Sequence, residues 1–176
     1  PVFLMASFCL FAQSEVTEYK GFINFSYDHA TDKITLEIER LDEEFLYVHS
    51  LATGVGSNDI GLDRGQLGGE KVVKFVKMGQ KIMLVQPNYD YRANSTNPDE
   101  VKAVKDAFAE SILWGFPIER EENGRFYVDA TKFLMQDAHG VAETLRAGNQ
   151  GNYSLDASRS AFYLDRTKNF PENTEF

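Results

Sequence analysis

Cysteine, tryptophan and histidine are all scarce in this chain, which has one Cys, one Trp and three His among its 176 residues. The single cysteine, Cys9, lies in the apolar segment at the start, so the rest of the chain has no disulfide or CxxC chemistry. The histidines, His29, His49 and His139, are far apart in the sequence. Zinc motifs of the HExxH type require two histidines one helical turn apart. We therefore interpret the three as ordinary histidines, although side chains distant in sequence can still converge in space.

Positive charge is also in deficit, because 18 Lys and Arg stand against 27 Asp and Glu, for a net charge of −9. Binding to nucleic acid or to an anionic membrane depends on clustered Lys and Arg. The composition therefore argues against nucleic acid and against a membrane surface as partners.

Long hydrophobic runs are limited to residues 1–12, PVFLMASFCLFA, which precede the polar sequence QSEVTEYK. The run is shorter than the roughly 20 residues that a membrane span needs. It matches the apolar region of a signal peptide, with Ala12 as the small residue before cleavage. We interpret it as a signal-peptide remnant. The mature protein is then expected to be exported to the periplasm, the cell surface or the medium, with no membrane attachment after signal removal.

Apolar residues are abundant by contrast, since hydrophobic residues make up 43% of the chain, with 14 Phe and 8 Tyr. A chain of this length can bury roughly 70% of the surface that its unfolded form exposes. No internal repeat, low-complexity tract or linker interrupts the sequence after its apolar start. We predict a single domain over residues 19–176.

Alternation of apolar and polar residues predicts strands in the first half of this domain. An antiparallel meander is expected, with strands at residues 19–28, 34–39, 45–52, 71–77 and 81–86. A later hairpin is predicted within residues 116–130, where Asn123 and Gly124 suit a primed turn. A short further strand is expected at residues 162–164.

Helices are predicted on either side of the later hairpin. Asn97 as N-cap and Pro98 as first residue begin a helix that continues to about Trp114. Thr131 caps a second helix that runs to Leu145. The expected fold class is therefore α+β, a mainly antiparallel sheet built from the meander and the later hairpin, with two helices packed on it.

The segment at residues 54–75, GVGSNDIGLDRGQLGGEKVVKF, is rich in glycine and acidic residues. A dinucleotide-binding fingerprint fails because Asp59 stands at the third glycine, and a P-loop fails because Leu62 and Asp63 replace its Lys and its Ser or Thr. We predict a structural loop in which glycines permit left-handed turns. Irregular calcium coordination by Asn58, Asp59 and Asp63 is the alternative.

Several segments of the chain resemble one family. FLYVHSLATGVGSNDIGLDRGQLGGEKVVKF, VQPNYDYRA, DAFAESILWGF, YVDATKFLMQDAHGVAETL and SRSAFYLDRTKNFPENTEF are similar to the N-terminal uncharacterised module of bacterial secreted zinc-dependent metallopeptidases. The resemblance covers residues 19–176. It implies that the zinc-binding HExxH, of metzincin-like character, lies in a downstream catalytic domain. No position of this chain matches that motif, so the resemblance carries over no catalytic, metal-binding or cofactor-binding residue.

Two functional hypotheses follow. The resemblance implies a non-catalytic N-terminal domain of an exported zinc-dependent metallopeptidase, which supports the catalytic domain of the same polypeptide. Zinc and a peptide or protein substrate then belong to the full-length enzyme. The alternative is a free-standing exported domain that captures a peptide or a glycan on the aromatic-rich loop at residues 87–92. Under the first hypothesis we expect residues from Lys168 onward to fray, because the strand-like pattern at residues 174–176 would lack its partner.

Overall fold

The computed structural model describes residues 15–176, so the expected signal-peptide remnant at residues 1–12 lies outside the described part of the chain. Within residues 15–176 the chain forms ten β-strands, three α-helices and two short 3-10 helices. The strands are β1 (Val16–Tyr19), β2 (Asn24–Asp28), β3 (Lys33–Ile38), β4 (Glu44–Tyr47), β5 (Lys71–Met78), β6 (Lys81–Gln86), β7 (Ser111–Glu122), β8 (Arg125–Asp129), β9 (Lys168–Phe170) and β10 (Asn173–Glu175). The α-helices are α1 (Pro98–Ala107), α2 (Thr131–Leu134) and α3 (Val141–Ala147), and the 3-10 helices lie at Asn58–Ile60 and Ala157–Arg159.

Eight of these strands form one antiparallel sheet in the order β1-β2-β3-β8-β7-β6-β5-β4, which curls into a half-barrel. The predicted hairpins β2–β3, β5–β6 and β7–β8 are confirmed, and Asn123 and Gly124 adopt φ of 52° and 78° in the last of them. The predicted continuous meander is wrong at one connection. β3 pairs with β8, with Thr35 opposite Asp129, while β4 pairs with β5 at the far edge. The later hairpin is therefore inserted between two short meanders.

The core lies on one face of this curled sheet, where alternate residues of the strands are buried. Ile34 and Leu36 of β3 are buried, whereas Thr35 between them is only half-buried. Full burial of a large apolar side chain is worth about 1.5–3 kcal/mol, so this alternation sets which face of each strand turns inward. The buried cluster comprises Phe25, Tyr27, Ile34, Leu36, Ile38, Val73, Phe75, Ile82, Leu84, Phe116, Phe126, Val128 and Ala130.

Helices contribute less than expected, and the α+β prediction with two packed helices is wrong. The structure is mostly antiparallel sheet, with 16% helix in three short helices over the described residues. α1 begins as predicted, because the Asn97 side chain accepts a hydrogen bond from the Asp99 N–H at 3.0 Å. It ends at Ala107 and not near Trp114, which belongs to β7 and pairs with Leu84 of β6. Sheet pairing thus overrides the helical spacing of the apolar residues after α1.

The predicted second helix is interrupted between α2 and α3. Gly140 has φ of 71° in the intervening turn, a left-handed conformation that favours glycine. Asp137 accepts a hydrogen bond from the Val141 N–H at 2.9 Å and so satisfies the start of α3. Thr131 was predicted to cap the helix, but it is the first residue of α2, and its hydroxyl accepts from the Ile34 N–H at 3.0 Å. Its role is to join α2 to the sheet.

The end of the chain is tied to the loop between β1 and β2. β9 and β10 pair with each other, so the expectation that the final strand lacks a partner is wrong. The strand predicted at residues 162–164 is replaced by loop and turn. The Asn169 side-chain amide donates to the carbonyl oxygens of Tyr19 (3.1 Å) and Ile23 (2.8 Å), and its oxygen accepts from the Thr174 hydroxyl (2.8 Å). We term these contacts the Asn169 clip.

Candidate functional site

The glycine-rich segment between β4 and β5 folds back on itself through backbone hydrogen bonds. The Leu51 N–H donates to the Gln66 carbonyl at 3.0 Å, and the Val55 N–H donates to the Leu62 carbonyl at 3.0 Å. The side chain of Leu62 is only 1% exposed and anchors the loop. The loop is therefore closed by its own backbone, as predicted. Left-handed φ values of 81°, 73° and 80° occur at Gly56, Gly61 and Gly65.

The acidic residues of the calcium hypothesis lie on this loop. Asp59 and Asp63 are both exposed, and the Asp63 N–H donates to the Gln66 side chain at 3.1 Å. Among residues 15–176, no group of three or more His, Cys, Asp or Glu side chains is placed to hold a metal ion. Coordination by Asn58, Asp59 and Asp63 stays a hypothesis that a calcium titration can test.

The structure brings two of the three histidines together. Nδ1 of His49 and Nδ1 of His139 lie 3.1 Å apart, with the two rings nearly perpendicular at 86°. One ring must donate its N–H to the lone pair of the other, so at least one of the two is neutral. Gly68 makes room for the pair, because a Cβ at that position would come 1.7 Å from Cε1 of His49. His29 lies elsewhere, with Nε2 2.8 Å from the Thr17 hydroxyl.

The surroundings of the histidine pair oppose protonation of His49. Burial lowers the pKa of the His49 imidazole, and the neighbouring His139 and Lys71 lower it further. The two histidines are 90 residues apart in the sequence, so no local pattern could identify them as partners. Two nitrogen ligands fall short of the four that a structural zinc site uses. The pair joins the segment between β4 and β5 to the turn before α3.

Several apolar side chains are exposed on α1 and in the segments next to it. Tyr91 stacks on Phe108 with ring centroids 3.9 Å apart, yet Tyr91 is 55% exposed and Phe108 is 37% exposed. Ile112 follows on β7 and is 56% exposed, because an irregularity in the β6–β7 pairing turns it away from the core side to which Trp114 belongs. We term Tyr91, Val101, Phe108 and Ile112 the α1 surface.

The aromatic-rich loop at residues 87–92 follows β6 and contacts β4. The guanidinium of Arg92 lies 4.3 Å from the centre of the Tyr89 ring, and the Tyr89 hydroxyl donates to the Glu44 carboxylate of β4. The Tyr89 ring is therefore engaged within the protein. Tyr91 is the more exposed tyrosine of the loop and belongs to the α1 surface.

A small cleft lies where β3 leads into β4. The rings of Phe22, Phe45 and Phe75 line it, and the guanidinium of Arg40 lies 4.6 Å from the centre of the Phe22 ring. The cleft holds about 50 Å³. Pockets that bind small molecules hold about 300–1,000 Å³, so this cleft is too small for a substrate.

The curled antiparallel sheet with few helices defines a mainly-β domain. The chain belongs to the family described as "Domain of unknown function (DUF5117)", which matches residues 65–176. This membership confirms the prediction of an uncharacterised module, and the family description carries no statement about metallopeptidases. No curated protein and no solved structure matched the chain. Over the described residues, no helix is both long enough and apolar enough to cross a membrane.

Proposed function

We propose that this chain is a non-catalytic N-terminal domain of an exported zinc-dependent metallopeptidase and that it supports the catalytic domain by packing against it. The zinc ion, the HExxH helix and the bound peptide or protein substrate belong to the downstream domain of the same polypeptide. The proposal draws on the resemblance over residues 19–176 and on membership in a family of uncharacterised domains. The chain itself then supplies a scaffold and a docking surface.

The α1 surface is the observation that best supports a docking role. Tyr91, Phe108 and Ile112 keep between 37% and 56% of their surface exposed. Full burial of such a side chain is worth about 1.5–3 kcal/mol, so a partner that covers them gains appreciable binding energy. Charged side chains border the surface, including Lys102, which pairs with Asp106 on α1. An apolar patch with a polar rim is typical of a protein interface.

The test compares amide hydrogen exchange in the 176-residue chain and in the natural full-length protein. Amides of α1 and of the start of β7 should exchange more slowly in the longer protein, because the catalytic domain covers them. Replacing both Tyr91 and Phe108 with serine should remove that extra protection. Tyr153→Ser is the matched control, since Tyr153 is 61% exposed but lies outside the α1 surface.

Two results would count against this role. Exchange at α1 that is the same in both proteins would show that the surface stays uncovered. A downstream reading frame without an HExxH motif would remove the catalytic partner altogether.

Capture of a peptide or a glycan on the loop at residues 87–92 is the second candidate, favoured by the exposed ring of Tyr91. In that case an added peptide or oligosaccharide should slow exchange at this loop in the 176-residue chain alone. Tyr91→Ala should abolish the effect. Docking of the catalytic domain predicts instead that such ligands leave the loop unchanged.

A further inference from the structure

A second surface of the chain has a different chemistry from the α1 surface. The outer face of β1, β2, β3, β8 and β7, opposite the core, forms a groove of about 430 Å³. This volume falls within the roughly 300–1,000 Å³ of small-ligand sites. Polar and charged side chains provide most of its lining, and we term it the polar groove.

Strand register brings the polar side chains of this groove together. Glu37 of β3 lies opposite Tyr127 of β8, and Tyr127 lies opposite Arg120 of β7. On the next rung, Ser26 of β2 lies opposite Thr35 of β3. Directly opposed residues share a face with Cβ atoms about 4.5–5.5 Å apart. The register therefore builds one patch from residues of four strands.

The charged groups on the floor of the groove are held in fixed positions. The Glu37 side chain is only 10% exposed, and Arg125 lies 3.1 Å and Lys20 lies 3.6 Å from its carboxylate oxygens. A carboxylate this buried is tolerated because cations pair with it. The guanidinium of Arg120 lies 3.6 Å from the centre of the Tyr127 ring. The groove thus offers the Glu37 carboxylate as a hydrogen-bond acceptor and the Arg120 guanidinium as a donor.

Three hydroxyl groups in the groove are available to a ligand. Within residues 15–176, the side-chain hydroxyls of Ser26, Thr35 and Tyr127 have no hydrogen-bond partner in the protein, although all three residues line the groove. A hydroxyl both donates and accepts hydrogen bonds. These three hydroxyls can therefore both donate hydrogen bonds to a ligand and accept them from it, which suits a ligand that carries hydroxyls itself.

The balance of charge in the groove favours a neutral ligand over a strongly ionic one. Lys20 pairs with Glu18 at 3.5 Å as well as with Glu37, and Lys33 pairs with Glu119 at 2.7 Å. A charged ligand would have to break one of these ion pairs, whereas a neutral ligand would leave them in place.

The position of the groove excludes two further classes of ligand. An extended peptide adds to the free edge of a sheet through main-chain hydrogen bonds. β1 is an edge strand and contributes Val16 and Glu18 to one side of the groove, but Ser26, Thr35 and Tyr127 lie on β2, β3 and β8, whose main chain is paired on both sides. A flat aromatic ligand needs an open ring to stack on, but Arg120 covers a face of the Tyr127 ring. A neutral ligand with many hydroxyl groups matches the free hydroxyls and the balanced charges of the polar groove.

We propose that the polar groove binds a neutral saccharide. The hydroxyls of Ser26, Thr35 and Tyr127, the carboxylate of Glu37 and the guanidinium of Arg120 exchange hydrogen bonds with the sugar hydroxyls. This inference goes beyond the proposed function, because the groove lies on a different part of the sheet from the α1 surface.

The test is isothermal titration calorimetry of the 176-residue chain with maltohexaose, cellohexaose, xylohexaose and mannohexaose. At least one should bind one per chain with a Kd below about 1 mM. Thr35→Val and Tyr127→Phe each remove one hydroxyl and little else, and each should weaken that binding by about tenfold. Tyr153→Phe, outside the groove, should leave the affinity unchanged. Added salt should change it less than about twofold, because the ligand is neutral.

Each variant is first checked by its melting temperature, which should match that of the wild type. Thr35→Val keeps the branched shape that suits a strand, and Tyr127→Phe keeps the ring beneath Arg120. The proposal is overturned if none of the four saccharides gives saturable binding. It is also overturned if both hydroxyl variants bind as tightly as the wild type, or if Tyr153→Phe weakens binding as much as they do.

Discussion

Replacing Asn169 with alanine should loosen the attachment of the β9–β10 hairpin to the main sheet. The Asn169 amide donates to the carbonyl oxygens of Tyr19 and Ile23, and its oxygen accepts from the Thr174 hydroxyl. The Thr174 hydroxyl in turn accepts from the Ile23 N–H at 3.0 Å. One side chain therefore links β9, β10 and the loop between β1 and β2.

The magnitude follows from the three bonds that Asn169→Ala removes. Each contributes about 0.5–1.5 kcal/mol net, so their loss should lower the free energy of unfolding by about 1.5–4.5 kcal/mol. The loss in the free energy of global unfolding is limited, because the β9–β10 hairpin can open while the main sheet stays folded. The Phe22 N–H donates to the Phe170 carbonyl at 2.7 Å and becomes the main remaining link. Part of the effect should therefore appear as local opening.

Two measurements separate the global effect from the local one. Urea unfolding followed by circular dichroism gives the global free energy, and amide hydrogen exchange gives the opening of β9 and β10. Asn173→Ala is the matched control, because Asn173 lies in the same hairpin but, among the residues that the structure describes, its side chain bonds only Glu175, at 2.8 Å. Gly21→Ala should act like Asn169→Ala, since its Cβ would come 2.3 Å from Oδ1 of Asn169.

The reasoning is refuted if Asn169→Ala unfolds within about 0.5 kcal/mol of the wild type and leaves exchange in the hairpin unchanged, since such a difference is within the range of neutral surface substitutions. An equal loss in Asn173→Ala would refute it as well, because the clip would then have no special part in the attachment.

Further outcomes are expected elsewhere in the chain. Gly61→Val should lower the free energy of unfolding by about 1–3 kcal/mol in urea, because Gly61 has φ of 73°; Gly69→Val should cost much less, because its Cβ would meet only Nζ of Lys71, at 3.9 Å. The folded state holds the pKa of His49 below its ordinary value of 6.5, so the unfolded chain takes up a proton first and stability should fall as pH drops below that value. His49→Gln should reduce this pH dependence in urea unfolding. After dialysis the chain should hold no stoichiometric zinc by atomic emission and cleave no fluorogenic peptide, and one tightly held zinc per chain would contradict this.

Hairpins could be predicted from the sequence because their determinants are local. The β5–β6 connection turns at Gly79, with φ of 60°, and the β7–β8 connection turns at Asn123 and Gly124. The position of the second hairpin in the sheet could not be predicted, because the pairing of Thr35 with Asp129 joins distant parts of the chain. The length of α1 could not be predicted for a related reason: residues that follow α1 at helical spacing pair in the sheet as β7.

The candidate sites were harder to predict than the hairpins. Ser26, Thr35 and Glu37 occupy the ordinary polar positions of alternating strands, and only the register with β8 shows that they share a face with Tyr127. The loop at residues 87–92 is rich in aromatic residues, but nothing in its sequence predicts that it shares a surface with α1. The stack of Tyr91 on Phe108 depends on tertiary structure and has no local signal.

The sheet order has a consequence for where the folding unit begins. The family match starts at residue 65, after β1–β4, yet β3 pairs with β8 and β4 pairs with β5. A fragment that begins at residue 65 would lack β3 and β4, so β8 and the eight-residue β5 would become unpaired edge strands. β5 has the sequence KVVKFVKM, and an unprotected apolar edge strand is a template for aggregation. The early strands thus protect both flanks of the matched segment, and a fragment that keeps β8 and β5 covered has to begin at or before Lys33, the first residue of β3.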